Sequence, residues 1–83
     1  MIRIVTSRQL QIFHFLTSFL KSHGFAPSIR EVGDYFKIAP SSVLGHLKAL
    51  EKKGLIHRLP LKPRCLEILK QEKDDVELKI DNT

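Results

Sequence analysis

The run Pro40-Ser41-Ser42-Val43-Leu44-Gly45-His46-Leu47-Lys48-Ala49-Leu50-Glu51-Lys52-Lys53-Gly54-Leu55-Ile56 constrains this chain more than any other stretch. At about 100° per residue, Val43, Leu47 and Leu50 share one face of a helix. Leu55 and Ile56 follow just past a glycine. Ser41 or Ser42 is placed to cap the start, because a serine hydroxyl accepts a hydrogen bond from an orphan N–H of the first turn. Gly54 suits the left-handed residue that ends a helix, and Lys52 and Lys53 suit the negative end of its dipole. The other face then carries Ser41, Ser42, Gly45, Lys48, Ala49 and Lys52, with no acid among them. Short hydrogen-bonding residues followed by lysines fit the major groove of duplex DNA. An ordinary solvated surface helix is the alternative that these residues alone leave open.

The segments before this run supply its support. Residues 1–5 are short and β-prone, and a frayed end is expected there. Thr6-Ser7-Arg8-Gln9 matches a capping box, and the helix it opens runs to about Ser22, where His23-Gly24 stops it. Ile12, Phe13, Phe15, Leu16, Phe19 and Leu20 fall within one broad arc, the expected core face. Leu10 lies off it and is expected as an isolated exposed leucine, with a part in a dimer contact as the alternative. Phe25-Ala26-Pro27 is extended, because proline biases its predecessor away from the helical region. Ser28-Ile29-Arg30-Glu31 is a second capping box, opening a short helix that buries Ile29, Val32 and Phe36 and ends near Tyr35–Lys37. Gly33 lies on the same inner face. A glycine there costs about 1 kcal/mol relative to alanine, which points to another helix crossing closely. The tight turn Lys37-Ile38-Ala39-Pro40 then leads into the third helix. Three helices, the last two joined by a short turn, follow helix-turn-helix logic.

Beyond Gly54 the period changes. Leu55–Leu59 and Arg64–Leu69 read as strands, with Leu66 and Ile68 alternating against Cys65 and Glu67. Pro60-Leu61-Lys62-Pro63 reads as the tip of a hairpin between them. The expected fold is mainly α with a small β-hairpin, a winged helix-turn-helix of three helices plus wing. The domain spans residues 1–69, and a polar, mildly acidic tail or linker follows over 70–83. Within that tail Val76, Leu78 and Ile80 alternate and could add a strand, but a loose tail is expected.

Composition narrows the partners. Eighty-three residues allow one domain with a modest core. Residues 1–69 hold eleven Lys and Arg against four Asp and Glu, and residues 70–83 hold three against five. A basic folded part suits a polyanion, since net charge steers association. No apolar run approaches the roughly 20 residues that cross a bilayer, and the N-terminus lacks the pattern of a signal peptide. Cys65, the one cysteine, cannot form an internal disulfide, which fits a reducing, cytoplasmic setting. His14, His23, His46 and His57 are scattered without metal-ligand spacing, so no metal site is expected. No phosphate-cradling loop or nucleophile–base pair is visible, so neither a cofactor, a small-molecule ligand nor catalysis is expected.

Several segments together resemble the N-terminal DNA-binding domain of the LexA repressor family. They are Thr6-Ser7-Arg8-Gln9, Ile12-Phe13, Gly24-Phe25-Ala26-Pro27-Ser28-Ile29-Arg30-Glu31-Val32 and, most specifically, His46 through Ile56. The resemblance covers roughly residues 5–69. It implies transcriptional repression within the SOS response, with the third helix, about residues 41–53, in the major groove of a palindromic operator. Members of the family also carry a C-terminal domain that dimerises and cleaves itself at an alanine–glycine bond. No Ala-Gly dipeptide occurs in this chain, and self-cleavage by it is not expected. Where the family carries an asparagine and paired glutamates that help read the operator, this chain has Ser41, Leu44 and Gly45. Readout depends on donors and acceptors at such positions, so a different target, or less stringent reading, is expected.

The residues expected to face base edges are Ser41, Ser42, Leu44, Gly45 and Lys48. Gly45 would admit the backbone closely, and Leu44 could touch a thymine methyl. Ser7, Arg8, Arg30, Lys52, Lys53, Lys62 and Arg64 are expected to contact phosphates, which position the protein without specifying sequence. The partner is double-stranded DNA, with a weak homodimer forming on it at most, through contacts such as the alternating tail. A winged helix docking on another regulator or on polymerase is the competing reading.

Overall fold

The computed structural model describes residues 2–58, 66–69 and 77–80. The elements run β1 (Ile2–Val5), α1 (Ser7–His23), α2 (Ile29–Phe36), α3 (Pro40–Lys52), β2 (Ile56–Arg58), β3 (Leu66–Ile68) and β4 (Glu77–Ile80).

Both capping boxes form. Thr6 Oγ1 accepts from the Gln9 N–H while Gln9 Oε1 accepts from the Thr6 N–H, each at 3.1 Å. Ser28 and Glu31 repeat the arrangement at the start of α2, again at 3.1 Å. Gly24 ends α1 at φ 78° with its N–H bonded to the Leu20 carbonyl, which only a residue without Cβ does without strain. The third helix departs from expectation. Neither Ser41 nor Ser42 caps it; the N-cap is Ala39, with no side-chain bond, and Pro40 stands at the first turn. Proline brings no N–H to satisfy there, and the Ala39 carbonyl accepts from the N–H groups of both Ser42 and Val43.

The far end of α3 closes as expected. The Gly54 N–H bonds the Glu51 carbonyl and the Leu55 N–H bonds the Leu50 carbonyl, with Gly54 at φ 76°. This double closure turns the chain back so that Leu55 and Ile56 enter the core. The core comprises Val5, Ile12, Phe13, Leu16, Ala26, Val32, Val43, Leu47, Leu50, Leu55 and Ile56. Leu10 is not an exposed leucine: it is half-buried against this cluster, as are Phe15, Ile29 and Phe36. Gly33 sits where α3 approaches. A Cβ on it would lie 2.9 Å from the Ile38 carbonyl oxygen and 3.5 Å from Val43 Cγ2. The close neighbour is therefore first the turn itself and then the helix beyond. That turn passes through Lys37 at φ 57°, a left-handed position filled by a residue with a Cβ.

β2 and β3 pair antiparallel in the register Ile56 with Ile68, His57 with Glu67 and Arg58 with Leu66. The hairpin tip and Lys62, Arg64 and Cys65 lie outside the described residues. The two chain ends depart from expectation: β1 pairs parallel with β4, from Ile2 opposite Glu77 to Val5 opposite Ile80. Val5 is fully buried, so this end is not frayed, and residues 77–80 are not a loose tail. The expected unit of residues 1–69 thus takes a strand from beyond its boundary. Pairing with β1 also occupies one edge of the segment expected to meet another copy.

Candidate nucleic-acid interface

Helix α3 divides cleanly between two faces. Val43, Leu47 and Leu50 are buried, while Ser41, Ser42, Gly45, Lys48 and Lys52 are exposed and Leu44 and Ala49 half-buried. Of the five residues expected to face bases, Ser41, Ser42, Gly45 and Lys48 are thus exposed on one helix, and Leu44 is half-buried beside them. Gly45 is informative because a Cβ there would meet nothing within 4 Å. Glycine in a helix interior costs about 1 kcal/mol relative to alanine, and no contact among the described residues requires it. A surface open enough for backbone to approach another molecule is what the residue leaves.

The expected phosphate-contacting residues divide into three groups. Ser7, Arg8, Arg30 and Lys52 are exposed; Ser7 and Arg8 open α1, and Arg30 stands in the first turn of α2. The Arg8 guanidinium lies over the Phe36 ring, 5.3 Å from its centroid, which holds it beside the helix-turn-helix rather than loose in solvent. It is also close enough to His46 to help burial push that imidazole below its usual range, so His46 is held towards its neutral form behind the outer face. Lys53 differs from the rest. It is half-buried, and its Nζ donates to Gln9 Oε1 at 2.6 Å. Gln9 Oε1 thereby serves both the α1 cap and the end of α3, and Lys53 fastens these two helices. Lys62 and Arg64, the wing pair, fall outside the described residues.

One joint of the interface was not anticipated. Glu51 Oε2 accepts from the Arg58 N–H at 3.0 Å, and Oε1 accepts from Arg58 Nε at 3.1 Å. His57 Nδ1 lies 3.6 Å from Oε2. The backbone and side-chain bonds from Arg58 hold the Glu51 carboxyl below the usual glutamate range. This carboxylate fixes β2, the strand leading to the wing, against the end of α3. An acid in the last turn of a helix opposes the dipole, and that anomaly was the available signal for a compensating partner.

Among the described residues, no group of three His, Cys, Asp or Glu side chains is placed to hold a metal, and no helix is long and apolar enough to cross a membrane. The LexA DNA binding domain family model matches residues 3–65. The chain is 49% identical over 74 residues to a LexA repressor of Clostridium perfringens (strain 13 / Type A), covering 88% of this chain and 36% of that protein. To the LexA repressor of Bacillus subtilis (strain 168) it is 49% identical over 71 residues, 84% of this chain and 35% of the relative. A LexA repressor of Staphylococcus epidermidis is 41% identical over 75 residues, 89% of this chain and 36% of the relative. The chain thus spans about a third of the length of these relatives. By the extent of the match and the identities, it belongs to the LexA DNA-binding domain family.

Proposed function

We propose that this chain binds double-stranded DNA sequence-specifically as a LexA-like transcriptional repressor, laying α3 in the major groove of a palindromic operator. The observation that carries the reading is the outer face of α3: free of acids, small at its start, basic at its end, with a glycine that no contact among the described residues requires. Ser41, Ser42, Leu44, Gly45 and Lys48 address base edges. Ser7, Arg8, Arg30 and Lys52, with Lys62 and Arg64 from the wing, address phosphates. Lys53 contributes first by joining α3 to α1 and reaches phosphate with its remaining donors. Two copies meet weakly, on DNA only, and the protein acts in the cytoplasm without catalysis of its own.

The test is the salt dependence of duplex binding. Log affinity falls linearly with log salt, by about 0.9 per phosphate neutralised, so five to eight contacts give a slope of roughly −4 to −7. Lys62→Ala or Arg64→Ala weakens all sequences alike and flattens the slope by about one unit. Ser42→Ala instead changes the base preferred at one position, at a cost of about 1–3 kcal/mol. A slope near zero would favour docking on another protein.

A further inference from the structure

Of the chain's five phenylalanines and one tyrosine, only Phe13 is fully buried in the core. The other five meet one another along α1, α2 and the connection between them: Phe15, Phe19 and Phe36 are half-buried, and Phe25 and Tyr35 are exposed. Tyr35 stacks on Phe15 at 4.3 Å between ring centroids, and Phe36 meets Phe15 edge-on at 5.6 Å. Phe15 continues to Phe19 at 5.8 Å, and Phe19 meets Phe25 edge-on at 5.9 Å. Tyr35 is 65% and Phe25 44% exposed. An exposed tyrosine stacked on half-buried rings suits the core of an interface better than ordinary surface.

The strip has a shape as well as a composition. Gln11, His14, Phe15 and Ser18 of α1, with Tyr35 and Phe36 of α2, line an open trough of about 470 Å³. Helical spacing sets Arg8 one turn before this stretch of α1 and Lys21 one turn after it. At 1.5 Å per residue, the two cations stand about 20 Å apart along the helix. Lys37 follows Phe36 in sequence and is exposed, and Asp34, beside Tyr35, with Glu31, one turn before Tyr35 on α2, offsets the cations in part. A second copy of this chain, with its net charge of +5, would meet like charge there.

We propose that this trough docks a short acidic amphipathic helix of another protein, its apolar face on Phe15, Tyr35 and Phe36 and its acidic ends at Arg8 and Lys21. The length suits about 13 helical residues, and the mode is that of an amphipathic helix in an apolar groove. The trough lies off the outer face of α3 and does not rest on the DNA-binding reading, although Arg8 at its edge is shared with the residues proposed to reach phosphate.

The experiment titrates the full chain with a synthetic peptide of about 13 residues carrying Leu and Trp at i, i+4 and i+7 and Glu at both ends, followed by amide NMR. A second peptide has Lys in place of each Glu. Saturable shifts confined to Gln11, Ser18, Tyr35 and their neighbours, with the Lys peptide about tenfold weaker, are expected. Tyr35→Ala should weaken the Glu peptide about tenfold. Lys21→Glu, a fully surface change, should weaken it several-fold. Both variants should retain the salt slope of duplex binding, which separates this surface from the DNA reading. The proposal is overturned by shifts centred on Ser41, Ser42 and Lys48, by equal affinity for the two peptides, or by no saturation at about 1 mM. It is equally overturned if adenosine monophosphate saturates the trough at lower concentration than the peptide, since the site would then be one for a flat heterocycle.

Discussion

The first two helices and the third begin in opposite ways. Helices α1 and α2 each open on a reciprocal capping box, with side chains satisfying the first-turn donors. Helix α3 opens on Ala39 and Pro40 with no side-chain cap. The difference assigns different work to hydroxyl groups that look alike in the sequence. Thr6 and Ser28 are spent on their own helices. Ser41 and Ser42, exposed and not engaged as caps, are left to face outward. The helix proposed to read DNA is thus held by its packing and its C-terminal closure rather than by its first residues.

The strongest way to break this comparison is to attack that packing. Leu50 is fully buried and its carbonyl takes the Leu55 N–H that closes α3, so Leu50→Ala should cost about 2–5 kcal/mol of stability by urea unfolding. If the loss matched that of a cap deletion, packing would not be what holds α3. Thr6→Ala and Ser28→Ala should each cost about 1 kcal/mol in the same measurement. Gln9→Ala should exceed both, because it removes the Oε1 that accepts from the Thr6 N–H and from Lys53 across to α3.

A smaller, pH-dependent effect sharpens the account of the other end of α3. The Glu51 carboxyl faces Arg58 and His57 and titrates below the usual glutamate range in the folded chain. Its contribution is therefore present in full above the unfolded-state glutamate pKa, about 4.3, and is lost as pH falls through the lower folded value. Glu51→Gln should flatten that acid limb in thermal unfolding followed at a series of pH values. An unchanged acid limb would mean that the contact with Arg58 adds nothing to stability. The smallest effects belong to the outward serines. Ser41→Ala and Ser42→Ala should leave stability within about 0.5 kcal/mol, and a loss as large as that of Thr6→Ala would show a capping role the structure does not give them.

Most of the framework was legible from the sequence. Both capping boxes, the glycine stops at Gly24 and Gly54, the inner face of α3 and the close approach at Gly33 were all readable. So was the change from helix to paired strands after Gly54. The outer face of α3 was equally legible, because burying Val43, Leu47 and Leu50 leaves only one arrangement for Ser41, Ser42, Gly45, Lys48 and Lys52. The start of α3 was misassigned because two serines after a proline look like caps, whereas proline at the first position with the Ala39 carbonyl serving two donors makes a hydroxyl unnecessary. The sequence offers Lys53 as a phosphate-contacting cation, and nothing in its neighbourhood names Gln9, 44 positions away, as a partner as well.

What the sequence by itself determined is therefore what is settled within about four residues: where helices start and stop, which face of each turns inward, where the chain must take a left-handed turn. Those outcomes follow from backbone hydrogen bonding and side-chain periodicity, which do not depend on distant elements. Only the tertiary structure decided that β1 pairs with β4, that Leu10 is half-buried, that Glu51 holds Arg58, that Lys53 joins α3 to α1, and that Phe15, Phe19, Phe25, Tyr35 and Phe36 meet one another. Each of these depends on how separate elements are set against one another. That placement is fixed by the shared burial of the core, and periodicity along one segment carries no information about which residue of another segment will stand opposite.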